Sequence, residues 1–209
     1  MFLAITKHEI LNHSKNVSGI LQSLIFFLIA ISLFAITAGQ IKQPVAVIWV
    51  CLSFAILLSS NSFQKDFNDG TFEQLILSGH IFELIILAKI IANWLCNSLP
   101  LIVILPISTI LLKLDPNLIW HLFLTAIIAT LIINFLLSFG YALTLSSSQT
   151  NALLTVLILP LALPILIFAN SSLGGDFQMS VKFLLGLLAF LAPLLTFATA
   201  LSVKVNVVD

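Results

Sequence analysis

The chain has 209 residues, 60% of them hydrophobic and only 8% charged, with zero net charge. An ordinary soluble domain is about 25% charged, so this composition excludes a water-soluble globule and indicates an integral membrane protein. All eight basic side chains are lysines, and they are not clustered, which excludes a nucleic-acid face.

The apolar runs last about 20 residues without alternating in polarity, as spanning helices require and barrel strands do not. Residues 1–19 come first. They mix Phe2, Leu3, Ile5, Ile10 and Leu11 with Lys7, His8, Glu9, His13 and Lys15. That mixture predicts a helix lying in the membrane interface. It is too polar for the apolar core of a secretory signal, so the first span is expected to act as an uncleaved insertion signal.

Six spans are predicted, at about residues 20–38, 45–60, 84–112, 119–145, 152–169 and 181–203. "GQIKQP", "KLDPN" and "SSSQTN" separate them as turns, and "NSSLGGDFQ" (170–178) reads as a flexible loop. Pro100, Pro106, Pro160, Pro164 and Pro193 fall inside predicted helices. Each removes a backbone donor, which membrane helices tolerate when neighbours satisfy the freed carbonyls. Six spans put both termini on one face, with Lys7, Lys15, Lys65, Lys89 and Lys204 against Lys42, Lys113 and Lys182 opposite. That bias predicts cytoplasmic termini. Trp49 and Trp120 then fall at the outer interface, and Lys89 is expected to snorkel to the inner headgroups. Cys51 and Cys96 lie in apolar runs and read as packing residues.

Between spans two and three lies "FQKDFNDGTFEQLILSG", residues 63–79, with four of the sixteen charged side chains: Lys65, Asp66, Asp69 and Glu73. Asp69-Gly70 is turn chemistry. Thr71 and Gln74 are spaced as a capping box, with Asp69 and Glu73 at the helix start, where negative charge is favoured. Phe72, Leu75 and Ile76 share one apolar face, and Gly79 is a natural stop. A capped helix of about two turns is predicted. Its apolar face suits either lipid headgroups or a groove on a soluble partner. The chain has no phosphate-binding loop of its own, so uphill transport would need a partner that hydrolyses ATP.

The 63–79 run, followed by "LAKIIANWLCNSLPLIVILPI" (87–107), "ILPLALPILIFA" (158–169) and "LAPLLTFATALSV" (191–203), resembles the haem exporter protein B (CcmB) family. That family forms the membrane subunit of the cytochrome c maturation ABC complex. The most specific piece is the D-G-[ST]-x-E-Q-L pattern at Asp69–Leu75. The resemblance implies an all-α permease of six spans in one domain over 1–209, with an N-terminal interfacial helix and a coupling helix between spans two and three. It implies a bacterial inner-membrane location, a paired second copy, a cytoplasmic ATPase and other maturation subunits. Haem would be the transported substrate, or ATP hydrolysis by the partner would release a haem-loaded chaperone outside, with no cofactor bound by a motif of the chain and no catalytic or metal site. Phe63, Asp66, Asp69, Gly70, Thr71, Phe72, Glu73, Gln74, Leu75 and Ile76 would form the coupling and docking region, with Phe72, Leu75 and Ile76 as anchors. The chain departs from the family's pattern in lacking arginine and in carrying Asn93 where His often precedes the Trp, so no haem-ligand role passes to Asn93.

The four imidazoles are His8, His13, His80 and His121. Lone histidines are seldom cofactor ligands, and these read as interfacial side chains. His121, beside Trp120, is the nearest to a haem-ligand candidate. Asn93, Asn97 and Asn134 read as interhelical hydrogen-bonding groups. An exporter of a lipid or drug, or a membrane scaffold, would share many of these features. A membrane-embedded enzyme would need paired ionisable or metal-ligating groups at depth, and no such spacing occurs.

Overall fold

Residues 6, 9–10, 17–36, 44–59, 62–79, 81–145 and 150–208 are described in a computed structural model. Every regular element among them is an α-helix: α1 (Val17–Ile36), α2 (Pro44–Leu57), α3 (Ser62–Asn68), α4 (Thr71–Leu77), α5 (Phe82–Leu111), α6 (Leu118–Leu143), α7 (Thr150–Gly174) and α8 (Phe177–Val208). Most of the predicted interfacial helix, with His8 and His13, lies outside the described residues, as does His80.

Residues 18–36, Phe82–Leu111, Leu118–Leu143 and residues 177–207 are each long and apolar enough to cross a membrane. Pro44–Leu57 is apolar but has only 14 residues, about 21 Å of helix against a hydrocarbon core of about 30 Å. α7, with 25 residues, is about 37 Å long, and its stretch Pro160–Leu173 is apolar. Among the described residues the fold is thus an all-helical membrane bundle with four helices long and apolar enough to span. The interior prolines leave α5, α7 and α8 continuous.

α6 is the most enclosed of these four, packed against α5, α7 and α8. α1 lies at the edge against α2 and α5, and turns Leu21, Ile25, Ile29 and Leu33 outward. Outward apolar side chains need no partner where the solvent is lipid. Trp49 departs from the predicted belt: it is fully buried in the core, whereas Trp120 is exposed.

The predicted flexible loop at 170–178 is largely helix. Ser172 donates to the Ala169 carbonyl at 2.7 Å and meets Thr125 Oγ1 at 2.9 Å, so α7 continues to Gly174. Only Gly175 and Asp176 separate it from α8. α5 and α8, with 30 and 32 residues, are about 45 and 48 Å long, longer than the hydrocarbon core. At one end of the bundle the start of α5 meets the end of α8, through Lys204 and Glu83 at 2.8 Å. That end carries α3 and α4.

Candidate functional site

The 62–79 segment folds as two short helices rather than one. α3 closes through the Asp69 N–H, which donates to the Lys65 carbonyl at 2.9 Å. Gly70 turns the chain with φ +68°, a left-handed conformation that glycine adopts without steric cost. Gly70 is also the cap of α4, and no side chain caps that helix. Thr71 is the first helical residue, so the predicted Thr71/Gln74 capping box does not form. Gly79, at φ +72°, follows the Ser78 cap and ends α4 as expected.

The apolar face predicted for Phe72, Leu75 and Ile76 exists, and it is turned toward the bundle. Phe72 is 1% exposed, with its ring centroid 5.8 Å from that of Phe63 and 6.5 Å from that of Phe82. Leu75 and Ile76 are half-buried against the same core. Phe63, on α3, is fully buried too. Aromatic contacts at these separations are attractive beyond simple area burial. Asp69, Glu73, Gln74 and Leu77 are left exposed. Gln64 ties α3 to the end of α6, donating to the Leu145 carbonyl at 3.3 Å. A cleft of about 310 Å³ lies between Asn68, Gly70 and Glu73 on this segment and Asn206 and Val207 of α8.

Behind the segment sits Lys89, on α5. It does not snorkel. Among the described residues it is the one buried charged side chain, 1% exposed. Its ammonium lies 2.6 Å from Asp66 Oδ2 and 2.8 Å from Glu9 Oε1, and 5.6 Å from the centre of the Phe72 ring. Three elements therefore meet at one cation. An isolated charge would not tolerate this burial. Two charge-assisted hydrogen bonds and an aromatic face supply what water would have given. Burial raises the Asp66 carboxyl above its ordinary value; the charge and hydrogen bond of Lys89 act against this, while Glu9 and Asp69 add to it.

One turn further along α5, the bundle interior stays polar. Asn93 donates to Asn134 Oδ1 at 3.1 Å, Asn97 donates to Asn93 Oδ1 at 2.8 Å, and the Trp94 indole donates to Thr130 Oγ1 at 3.0 Å. Asn93, Asn97 and Asn134 are buried. Asn134 Nδ2 and Ser138 Oγ, both buried, have no hydrogen-bond partner among the described residues. At the opposite end of the bundle the His121 ring packs edge-on against Phe177 at 4.3 Å, and its Nδ1 lies 3.3 Å from the Asn117 carbonyl. No group of three or more His, Cys, Asp or Glu among the described residues could hold a metal ion.

The sequence description of the CcmB protein matches residues 1–206. The chain belongs to the CcmB family. Three relatives are each named Heme exporter protein B. The one from Haemophilus influenzae is 37% identical, over 83% of this chain and 81% of its own. The one from Pseudomonas aeruginosa is 35% identical, over 88% and 87%. The one from Escherichia coli K12 is 33% identical, over 99% of both chains. The features that sequence reasoning missed in this CcmB chain are contacts across long separations. Glu9 and Asp66 meet Lys89 from 80 and 23 residues away, and Glu83 meets Lys204 from 121.

Proposed function

We propose that the chain is the membrane permease subunit of a haem export system serving c-type cytochrome biogenesis. The observation that carries this is family membership over nearly the whole chain, among relatives named Heme exporter protein B. The all-helical membrane bundle fits that role. Haem is the transported substrate, and the chain supplies no catalytic group of its own. The permease is one domain of six spans in the bacterial inner membrane, with α2 as its shortest crossing and both termini cytoplasmic. It works as a homodimer, with a cytoplasmic ATPase and further maturation subunits.

Residues 63–79 are the coupling region of this permease. The burial of Phe63 and Phe72 supports a division of labour within it. Phe63, Phe72, Leu75 and Ile76 fasten the segment to the bundle. Asp69, Glu73, Gln74 and Leu77 face outward and meet the ATPase, while Gly70 and Thr71 set the turn between the two short helices.

The test is Glu73→Arg combined with Leu77→Asp. Both positions are exposed, so the variant reverses a charge and removes an apolar contact without disturbing the core. The tagged chain is purified gently from its host and its companions are identified by mass spectrometry. The wild type retains an ATPase at about equal stoichiometry. The variant inserts normally, loses that ATPase, and stops cytochrome c maturation. Normal maturation in the variant would defeat the coupling reading.

A further inference from the structure

We infer that Lys89 is the positioning residue through which movement of the 62–79 segment enters the membrane bundle, by shifting a polar seam between α5 and α6. The inference rests on the coupling reading above and names the side chain that carries the motion inward.

Three observations lead to it. First, Lys89 joins three elements at one point. Asp66 belongs to α3, Glu9 to the N-terminal segment, and Lys89 to the longest helix that starts at this end. A pull on α3 therefore acts on α5 through a contact of 2.6 Å. Breaking such a pair leaves a charge buried alone, so α5 follows the segment in preference to releasing it.

Second, the lysine begins a polar ridge. Lys89, Asn93 and Asn97 are four residues apart along α5, and all three are buried. Residues at that spacing lie on one helix face. α6 carries a matching ridge of Thr130, Asn134 and Ser138, again four apart and buried. The two helices run antiparallel, with Trp94 bonded to Thr130 and Asn93 to Asn134.

Third, this register leaves groups on α6 unsatisfied. Asn134 Nδ2 and Ser138 Oγ have no hydrogen-bond partner among the described residues. Two ridges of equal period have a second register one turn away. Drawing α5 toward the coupling segment by about 5.4 Å brings Asn93 opposite Ser138 and Asn97 opposite Asn134. The groups unpaired now would gain amide partners there. One-turn steps of this kind are an established mode of switching between packed helices.

The experiment uses the whole complex, with cytochrome c yield read in the host and ATP hydrolysis read on the purified assembly. Lys89→Met keeps the side-chain length and removes the charge. It should still assemble and hydrolyse ATP, while cytochrome yield falls about tenfold. The exchange Lys89→Glu with Asp66→Lys restores the tie and should restore the yield. Ser138→Val, remote from the docking surface, should uncouple in the same sense, which keeps the test decisive if Lys89→Met fails to assemble. A direct probe is a cysteine pair, Leu101→Cys with Thr130→Cys, with Cys51 and Cys96 replaced by Ala. It should cross-link with ATP present and not without, and Lys89→Met should abolish the cross-link. Unchanged cytochrome yield in Lys89→Met and Ser138→Val, or a cross-link indifferent to ATP, would overturn the inference. If Glu73→Arg with Leu77→Asp uncouples while these variants do not, Lys89 loses its role and the docking surface keeps its own. If that docking variant matures cytochrome c normally, the coupling reading itself is lost.

Discussion

Truncating Phe72 should release α4 from the bundle, whereas truncating Leu77, five residues on, should hardly be felt. Phe72 is 1% exposed and lies against Phe63, Phe82 and the Lys89 ammonium. Removing a buried phenylalanine side chain costs about 3–5 kcal/mol, the loss of its aromatic contacts included. α4 has seven residues and no side-chain cap, too short to persist alone. Most of that cost should therefore appear as local opening. A loss of 3 kcal/mol is roughly a hundredfold in the opening equilibrium. Leu77 is 84% exposed, and surface truncations stay within about 0.5 kcal/mol, roughly twofold. Hydrogen–deuterium exchange at residues 74–78, on protein in lipid nanodiscs, reads both directly. Phe72→Ala should speed exchange there about a hundredfold while α6 stays protected. Equal acceleration in the two variants, or none in Phe72→Ala, would refute the claim that the buried face holds this helix.

Gly79→Ala isolates backbone strain. An added Cβ would meet nothing within 4 Å, yet φ is +72°, so the loss should be about 1–2 kcal/mol from conformation alone, read as faster exchange at the end of α4. Glu83→Gln should do far less. The pair with Lys204 has side chains 31% and 38% exposed, and pairs so open to solvent contribute no more than about 1 kcal/mol; thermal unfolding of the detergent-solubilised chain should move by under about 4 °C. For Asp66, burial raises the carboxyl above 3.8 despite Lys89. The folded state then holds that proton more tightly than the unfolded state. Its favourable contribution is complete below 3.8 and is lost as pH rises through the raised value. Asp66→Asn removes this titration, so melting temperature should fall less steeply with pH between 3.8 and the raised value; an identical slope there in both proteins would contradict the assignment.

What could be read from the sequence was local. Asp69-Gly70 and Gly79 announce a turn and a stop because their backbone demands involve no distant partner, and both hold. The apolar face of α4 was visible for the same reason, since helical spacing is a near-neighbour property. Its direction was not visible, because Phe63 and Phe82, which draw Phe72 inward, lie on other helices. Lys89 shows the limit most clearly. A lysine a few residues inside an apolar helix end ordinarily extends to the headgroups, and only the arrival of Glu9 and Asp66 makes burial tolerable. Trp49 likewise reads as an interfacial ring, yet it is enclosed in the core. α3 was missed because its polar sequence looks like loop, although Phe63 pins it to the bundle.

The order of residues around Lys89 also bears on how the chain is made. Synthesis runs from the N-terminus, and both carboxylates that neutralise the lysine precede it, at positions 9 and 66. A lysine entering a bilayer unaccompanied costs about 2.5–3.5 kcal/mol at the centre of a helix. Here its counter-charges have left the ribosome before the lysine follows, so α5 can be laid against a waiting pair of anions. Had either carboxylate lain downstream, the half-built helix would have had to bear that charge with one anion fewer until synthesis caught up.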